Sequence, residues 1–154
     1  MLNSQPVRSI SGDLYPHSAA WAAHLIDRPY SPVSSKVPVV GIARPASHSA
    51  GFELHPGPSR WTDAAKRRFA DLKAPDWAAR TYYHVEMQVA AWMVSSEVIQ
   101  AKLVLNREPC GERFGRGCHQ ALPFFLPITY RLSVSGTRGG NRYYSYSYEG
   151  EVDL

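Results

Sequence analysis

The run HVEMQVAAWMVSSEVIQAKLVLN, residues 84–106, contains the two periodicities that decide the fold. Residues 84–96 are apolar almost all round and include no glycine or proline, which is typical of a buried helix. From Ile99 to Asn106 apolar residues recur at every second position, which predicts a strand. This segment therefore joins a buried helix directly to a strand.

The flanking sequence extends this alternation in both directions. After the central strand we predict a loop with three glycines (107–117) and a short helix (118–126), in whose interior Pro123 is unfavourable. Two strands follow, over 130–135 and 142–149. The link 136–141 is too short for a parallel crossover, so the last two strands form an antiparallel hairpin. Before the buried helix we predict an irregular lead-in (1–15), a helix (17–27) and two strands (37–43 and 52–55). A helix capped by Thr62 (62–73) and a connector (77–83) follow.

Bulk properties are those of one globular domain with an anionic partner. The chain has 154 residues and a formal net charge of +4, which mildly favours nucleic acid. It has no run of 18 apolar residues and no basic stretch followed by an apolar stretch at its start, so we expect neither a membrane span nor a cleavable signal peptide in this chain. Two cysteines are too few for a disulfide scaffold.

Three motifs surround the central strand and carry residues suited to catalysis with a metal. They are His84-Val85-Glu86, Pro109-Cys110 and Cys118. A catalytic zinc keeps three protein ligands, and His84, Cys110 and Cys118 supply that number. The zinc would activate a water, while Glu86, which is not a ligand, would move protons.

The local placement of these residues supports the same interpretation. Residues two apart on a helix point to opposite sides, so His84 and Glu86 share a site only if His84 lies where the helix begins. Cys118 also lies at a predicted helix start, where the helix dipole favours a thiolate. Alone, however, the H-x-E pattern arises by chance, and the two cysteines are equally compatible with buried thiols or with one disulfide.

Candidate substrate contacts lie beside these motifs. Tyr82 and Tyr83 precede His84 and offer aromatic walls for a base, although core packing is the more common use of such residues. Asn106 ends the central strand, where it would meet the sugar or base or act as a turn residue, and the backbone of Val85 would meet the base edge. In the loop between the cysteines, Arg113, Phe114 and Arg116 either touch the substrate strand or are solvated.

These motifs, in this order and followed by Leu122-Pro123, resemble the cytidine-deaminase superfamily. Within it, roughly residues 37–136 resemble the DddA-like (SCP-type) bacterial deaminase toxins. The resemblance implies a three-layer α/β fold whose five-stranded mixed sheet is flanked by helices, in a single domain over 1–154. One departure is the spacing of the cysteines, because the superfamily usually has C-x-x-C and here residues 111–117 separate them.

The resemblance also implies a function and partners. It implies zinc-dependent conversion of cytosine to uracil in single- or double-stranded DNA, by a monomer that a cognate immunity protein blocks. It further implies a secreted effector domain, the toxic part of a larger protein, acting in the cytoplasm of a target cell. The alternatives are a deaminase of RNA or free cytidine, and a non-catalytic, zinc-stabilised module that binds nucleic acid; the latter would not need Glu86.

Overall fold

The computed structural model describes residues 4–33, 35–113 and 115–153, which form seven strands and five α-helices. The strands are β1 (Val7–Arg8), β2 (Leu14–Tyr15), β3 (Gly41–Pro45), β4 (Phe52–Leu54), β5 (Gln100–Leu105), β6 (Arg131–Gly139) and β7 (Arg142–Glu149). The helices are α1 (Ala20–Ala23), α2 (Arg60–Asp71), α3 (Asp76–Ala79), α4 (Val85–Ser96) and α5 (Cys118–Phe125). None of the helices in the described ranges combines the length and the apolar character that crossing a bilayer demands.

A five-stranded mixed sheet in the order β4-β3-β5-β6-β7, flanked by helices, confirms the predicted fold class. β3 and β4 pair antiparallel, with Gly41 opposite Leu54 and Ala43 opposite Phe52. β6 and β7 form the predicted antiparallel hairpin.

The last hairpin turns more tightly than the sequence predicts. The link 136–141 was wrong as a loop, because β6 continues to Gly139 and leaves two residues between the strands. Gly139 and Gly140 adopt φ angles of 91° and 58°, which glycine tolerates best. Gly136 serves packing instead: a Cβ there would lie 2.4 Å from the carbonyl oxygen of Leu105.

The described chain divides into two compact units, each with its own core. The first comprises residues 1–55, 102–108 and 133–146 and packs around the buried residues Tyr15, Ile26, Val40, Ile42 and Val104. The predicted irregular lead-in was wrong, since β1 and β2 form a small antiparallel sheet within residues 1–15. The predicted helix over 17–27 is shorter, with one 3₁₀ turn and α1. That the whole chain is one domain stays a prediction.

The second unit comprises residues 56–101, 109–132 and 147–154 and contains α2 to α5. Its buried helix α4 is apolar almost all round, as predicted, and packs mainly against α2. Phe69 of α2 and Phe125 of α5 meet edge to face, with ring centroids 5.0 Å apart. α5 runs through Pro123.

Two predictions in this unit were wrong. The cap of α2 is Ser59, not Thr62, because the Ser59 hydroxyl accepts hydrogen bonds from the backbone N–H groups of Trp61 and Thr62. The predicted connector over 77–83 overlaps the short helix α3, which begins one residue earlier, at Asp76. Asp76 in its first turn suits the positive end of a helix.

Candidate metal and catalytic site

His84 occupies the N-cap of α4, with an extended backbone (φ −69°, ψ 149°). The prediction that His84 lies where the helix begins is therefore confirmed. The residue before it is held firmly, because the carbonyl of Tyr83 accepts hydrogen bonds from the backbone N–H of Gly57 (3.2 Å) and from Nε2 of Gln88 (3.0 Å). These bonds fix the backbone from which the His84 imidazole projects.

The loop between the cysteines is closed at its base by one side chain. Nε2 of Gln120 donates to the carbonyl of Gly111 (2.7 Å), and its Oε1 accepts from the backbone N–H of Gly117 (2.9 Å). At Gly117 a Cβ would lie 2.6 Å from the carbonyl carbon of Cys110, so only glycine permits this approach. Arg113, Gly115 and Arg116 of this loop are exposed, while Cys110 and Cys118 stay together.

The three predicted ligands converge on one point. Nδ1 of His84 lies 3.2 Å from Sγ of Cys110 and 3.3 Å from Sγ of Cys118, and the three donor atoms lie within 4.8 Å of one another. Both thiols are free, so the disulfide alternative is excluded. In a tetrahedral zinc site the N···S separation is about 3.6 Å. A few tenths of an ångström of side-chain movement would therefore accommodate an ion, and the group fits a metal.

Glu86 lies beside this group. It is 6% exposed, and burial raises the pKa of its carboxyl, with a further increase from the nearby Cys110 sulfur. The carboxyl is hydrogen-bonded to the Cys110 backbone and lies within hydrogen-bond reach of the Cys118 thiol. Its position next to the three donors leaves it available for proton transfer.

The electrostatics of the two thiols favour a bound cation. A hydrogen bond from Cys118 lowers the pKa of the Cys110 thiol to about 4. Burial, with the neighbouring Cys110 and Glu86, raises the pKa of the Cys118 thiol well above its usual value. Because the Cys118 thiol stays protonated beside the Cys110 thiolate, both sulfurs can be thiolates only if a cation offsets their mutual repulsion, and a divalent cation would do so.

The predicted substrate residues are distributed as follows. Tyr83 is 42% exposed and its ring meets the His84 ring edge to face, with centroids 4.6 Å apart. Tyr82 is half-buried and Val85 is buried at the start of α4. Arg113 and Arg116 are exposed, and Phe114 lies outside the described residues. No substrate contact of these residues is tested, so these assignments stay predictions.

Asn106 has a structural role within the first unit. Its side chain is completely buried. Nδ2 donates to the carbonyls of Pro29 and Pro38, both at 3.0 Å, and Oδ1 accepts from the backbone N–H of Val40 at 2.8 Å. Its predicted contact with a sugar or base stays a prediction.

Sequence reasoning missed Gln88 and Gln120, which shape the site without joining the ligand group. Gln88 is 1% exposed, and its Oε1 accepts a 2.8 Å hydrogen bond from the Ser59 hydroxyl. A glutamine inside an otherwise apolar helix was the available signal for Gln88. For Gln120 the signal was its position three residues after a helix N-cap, the spacing of a capping box.

Comparison with known proteins agrees with this geometry. The family model of the SCP1.201-like deaminases matches residues 30–151, which include His84, Glu86, Cys110 and Cys118. No curated protein matches the chain. Because the match covers most of the sequence, and the second unit holds a three-donor group beside a buried carboxylate, the chain belongs to the SCP1.201-like deaminase family.

Proposed function

We propose that this protein is a zinc-dependent cytosine deaminase that converts cytosine to uracil in DNA. The observation that carries the proposal is the position of Glu86, a buried carboxylate beside the His84, Cys110 and Cys118 group but outside it. A purely structural metal site closes its coordination with four protein ligands and has no use for such a carboxylate.

The donor set favours zinc over other metals. One imidazole and two thiolates suit zinc, whereas Mg²⁺ and Ca²⁺ prefer oxygen ligands. His84, Cys110 and Cys118 would hold the ion, and when bound it supplies a Lewis acid that makes water nucleophilic near neutral pH.

Glu86 provides the proton chemistry. Deamination adds water to carbon 4 of cytosine and breaks the bond from this carbon to the amino nitrogen, so that uracil and ammonia are produced. The Glu86 carboxyl takes one proton from the water and delivers it to ring nitrogen 3, and it then takes the remaining proton from the added hydroxyl and delivers it to the departing amine. Its raised pKa, caused by burial, suits a group that both accepts and donates near neutral pH.

Charge and resemblance support DNA as the substrate. The net charge of +4 favours a polyanion, and Arg113 and Arg116 are exposed on the loop between the cysteines. The likeness to DddA-like toxins adds the role of a secreted effector domain acting in the target-cell cytoplasm. On the same basis, we propose that the protein works as a monomer and that a cognate immunity protein blocks its active site.

The deciding experiment compares substrates. The zinc-loaded protein is incubated with single-stranded DNA, double-stranded DNA, RNA and free cytidine, and uracil is quantified in each. We expect uracil in DNA. If uracil forms only from RNA or only from free cytidine, DNA is not the substrate and the alternative deaminase is correct. If no substrate yields uracil, the proposed activity is wrong and the non-catalytic binding module is favoured.

A matched pair of variants tests the role of Glu86. Glu86→Gln keeps the shape of the side chain but cannot exchange the proton, so we expect activity to fall by about 10²–10⁴-fold with zinc content unchanged. Glu97→Gln makes the same chemical change at the exposed C-terminal end of α4 and should leave activity as it is. Full activity in Glu86→Gln would exclude the proposed mechanism.

A further inference from the structure

Four side chains of the second unit form a continuous path that ends at a metal-ligand candidate. Nζ of Lys66 lies 5.6 Å from the ring centroid of Tyr82. The Tyr82 and Tyr83 rings meet edge to face with centroids 5.5 Å apart, and Tyr83 meets His84 in the same way at 4.6 Å. A cation therefore stands at one end of two aromatic rings, and the donor group stands at the other.

The outer part of this path is open to solvent. Lys66 is exposed, and Tyr83 is 42% exposed although it is a large aromatic residue. Core packing, the plain alternative use of a tyrosine, would bury the ring, as it does for Tyr148, which is 5% exposed in the same unit.

The exposed ring of Tyr83 is mounted on a rigid backbone. Its carbonyl is bound by Gly57 N–H and by the buried amide of Gln88, and Gln88 is in turn bonded to the cap of α2, Ser59. A preorganised aromatic surface loses little conformational entropy when a planar ligand stacks on it. Tyr83 therefore has the properties of a stacking platform.

We propose that Lys66, Tyr82 and Tyr83 form a subsite for the nucleotide next to the target cytosine. The base of this neighbour stacks on the exposed face of Tyr83, and its phosphate lies near the Lys66 ammonium, with Tyr82 joining the two. The inference rests on the proposed function and deepens it, because it makes a polynucleotide the preferred substrate over a free nucleotide and makes Tyr83 a determinant of that preference.

Binding measured without turnover tests the subsite directly. Zinc-loaded Glu86→Gln protein is titrated into a fluorescein-labelled single-stranded oligodeoxynucleotide with one cytosine, and anisotropy gives Kd. Loss of one stacking contact should weaken binding by about tenfold or more in Tyr83→Ala and Tyr83→Leu, whereas Tyr83→Phe should restore it. Tyr83→Leu keeps apolar bulk against His84, so a wild-type Kd in this variant overturns the inference.

The salt dependence of Kd tests the phosphate contact. Removal of one phosphate contact with Lys66→Ala should reduce the slope of log Kd against log salt by about 0.7. Arg67→Ala removes the same charge from the neighbouring, exposed position of α2. An equal decrease of this slope in both variants would indicate that the positive face of α2 attracts DNA without a specific contact, and would overturn the role of Lys66.

A turnover experiment separates this inference from the proposed function. Proteins with intact Glu86 are assayed on the oligodeoxynucleotide and on deoxycytidine monophosphate, and the ratio of the two kcat/KM values is compared. The ratio should fall by about tenfold or more in Tyr83→Ala and recover in Tyr83→Phe. An unchanged ratio overturns the subsite alone, whereas a wild-type protein that deaminates neither DNA nor nucleotide overturns the proposed function.

Discussion

Nδ1 of His84 lies 3.2 Å from Sγ of Cys110, although 26 positions separate the two residues. Cys118, from a third position in the chain, lies 3.3 Å from the same nitrogen. Three parts of the second unit thus meet at one point: the N-terminus of α4, the loop that contains Cys110 and the N-terminus of α5. A metal there would connect three segments, so ligand loss should affect both metal content and stability.

The first prediction concerns the metal content of cysteine variants. Cys110→Ser and Cys118→Ser each leave two of three donors, so bound zinc should fall from one equivalent to near zero. Elemental analysis of the purified proteins measures this. Chelation of the wild-type metal should lower Tm, because metal binding contributes to folding. One zinc per chain in both serine variants would contradict the assigned ligand group.

The second prediction concerns Gly117, the residue before Cys118. Alanine there would place a Cβ 2.6 Å from the Cys110 carbonyl carbon, and the backbone would have to separate the two cysteines. Overpacking of this kind costs about 1–3 kcal/mol, so we expect weaker zinc binding and a lower Tm in Gly117→Ala. Competition with a chromophoric chelator measures zinc affinity.

The adjacent variant Arg116→Ala is the control for this change, since Arg116 is exposed and its truncation does not crowd Cys110. It should keep the zinc affinity of the wild type. If Gly117→Ala binds zinc as tightly as Arg116→Ala, the close approach at Gly117 does not determine the spacing of the thiols.

The third prediction concerns Gln120, which closes the loop between the cysteines. Gln120→Leu removes the hydrogen bonds to Gly111 and Gly117. Supporting residues of this kind change metal affinity by about 10–100-fold, and we expect a decrease in that range. His119→Ala, a change at the preceding position of α5, controls for general damage to the helix. A larger loss of zinc affinity in His119→Ala than in Gln120→Leu would rule out a special role for Gln120.

The sequence predicted the elements that carry the chemistry and missed those that support them. The uniform apolar character of 84–96 and the alternation after it suffice for α4 and β5, because both patterns are local. Ser59 follows the Pro56–Gly57–Pro58 cluster, which has the composition of a loop, so the local pattern does not identify it as a helix cap. Thr62, the residue that the sequence favoured as the cap, instead donates its backbone N–H to the Ser59 hydroxyl.

Long-range hydrogen bonds set the limit of such prediction. Gln88 bonds to Ser59, 29 positions away, and no local pattern identifies that partner. Similarly, the sequence shows that seven residues, 111–117, separate the two cysteines, but it does not show that Gln120 closes the loop which these residues form. The chemistry was predictable because ligand types are recognisable, whereas the support depends on the three-dimensional arrangement.

The fourth prediction concerns the coupling between Ser59 and Gln88. Ser59→Ala should destabilise the protein by about 1 kcal/mol through loss of the helix cap. Gln88→Leu removes a buried amide that bonds both Ser59 and the Tyr83 carbonyl. In a double-mutant cycle by urea denaturation, we expect a coupling energy of about 0.5–3 kcal/mol. Additive effects of the two changes would show that the bond between α2 and α4 contributes nothing to stability.

The fifth prediction concerns stability at alkaline pH. Tyr15 is completely buried, its hydroxyl has no hydrogen-bond partner among the described residues, and burial raises the pKa of this phenol above its usual 10.0. A raised pKa in the folded state means that the stability contribution is complete below about pH 10 and is lost as pH rises further, by about 1.4 kcal/mol per pH unit. Urea denaturation between pH 8 and 12 measures this decline. Tyr15→Phe should flatten it, while the exposed control Tyr143→Phe should not; equal slopes in both variants would exclude Tyr15 as the cause.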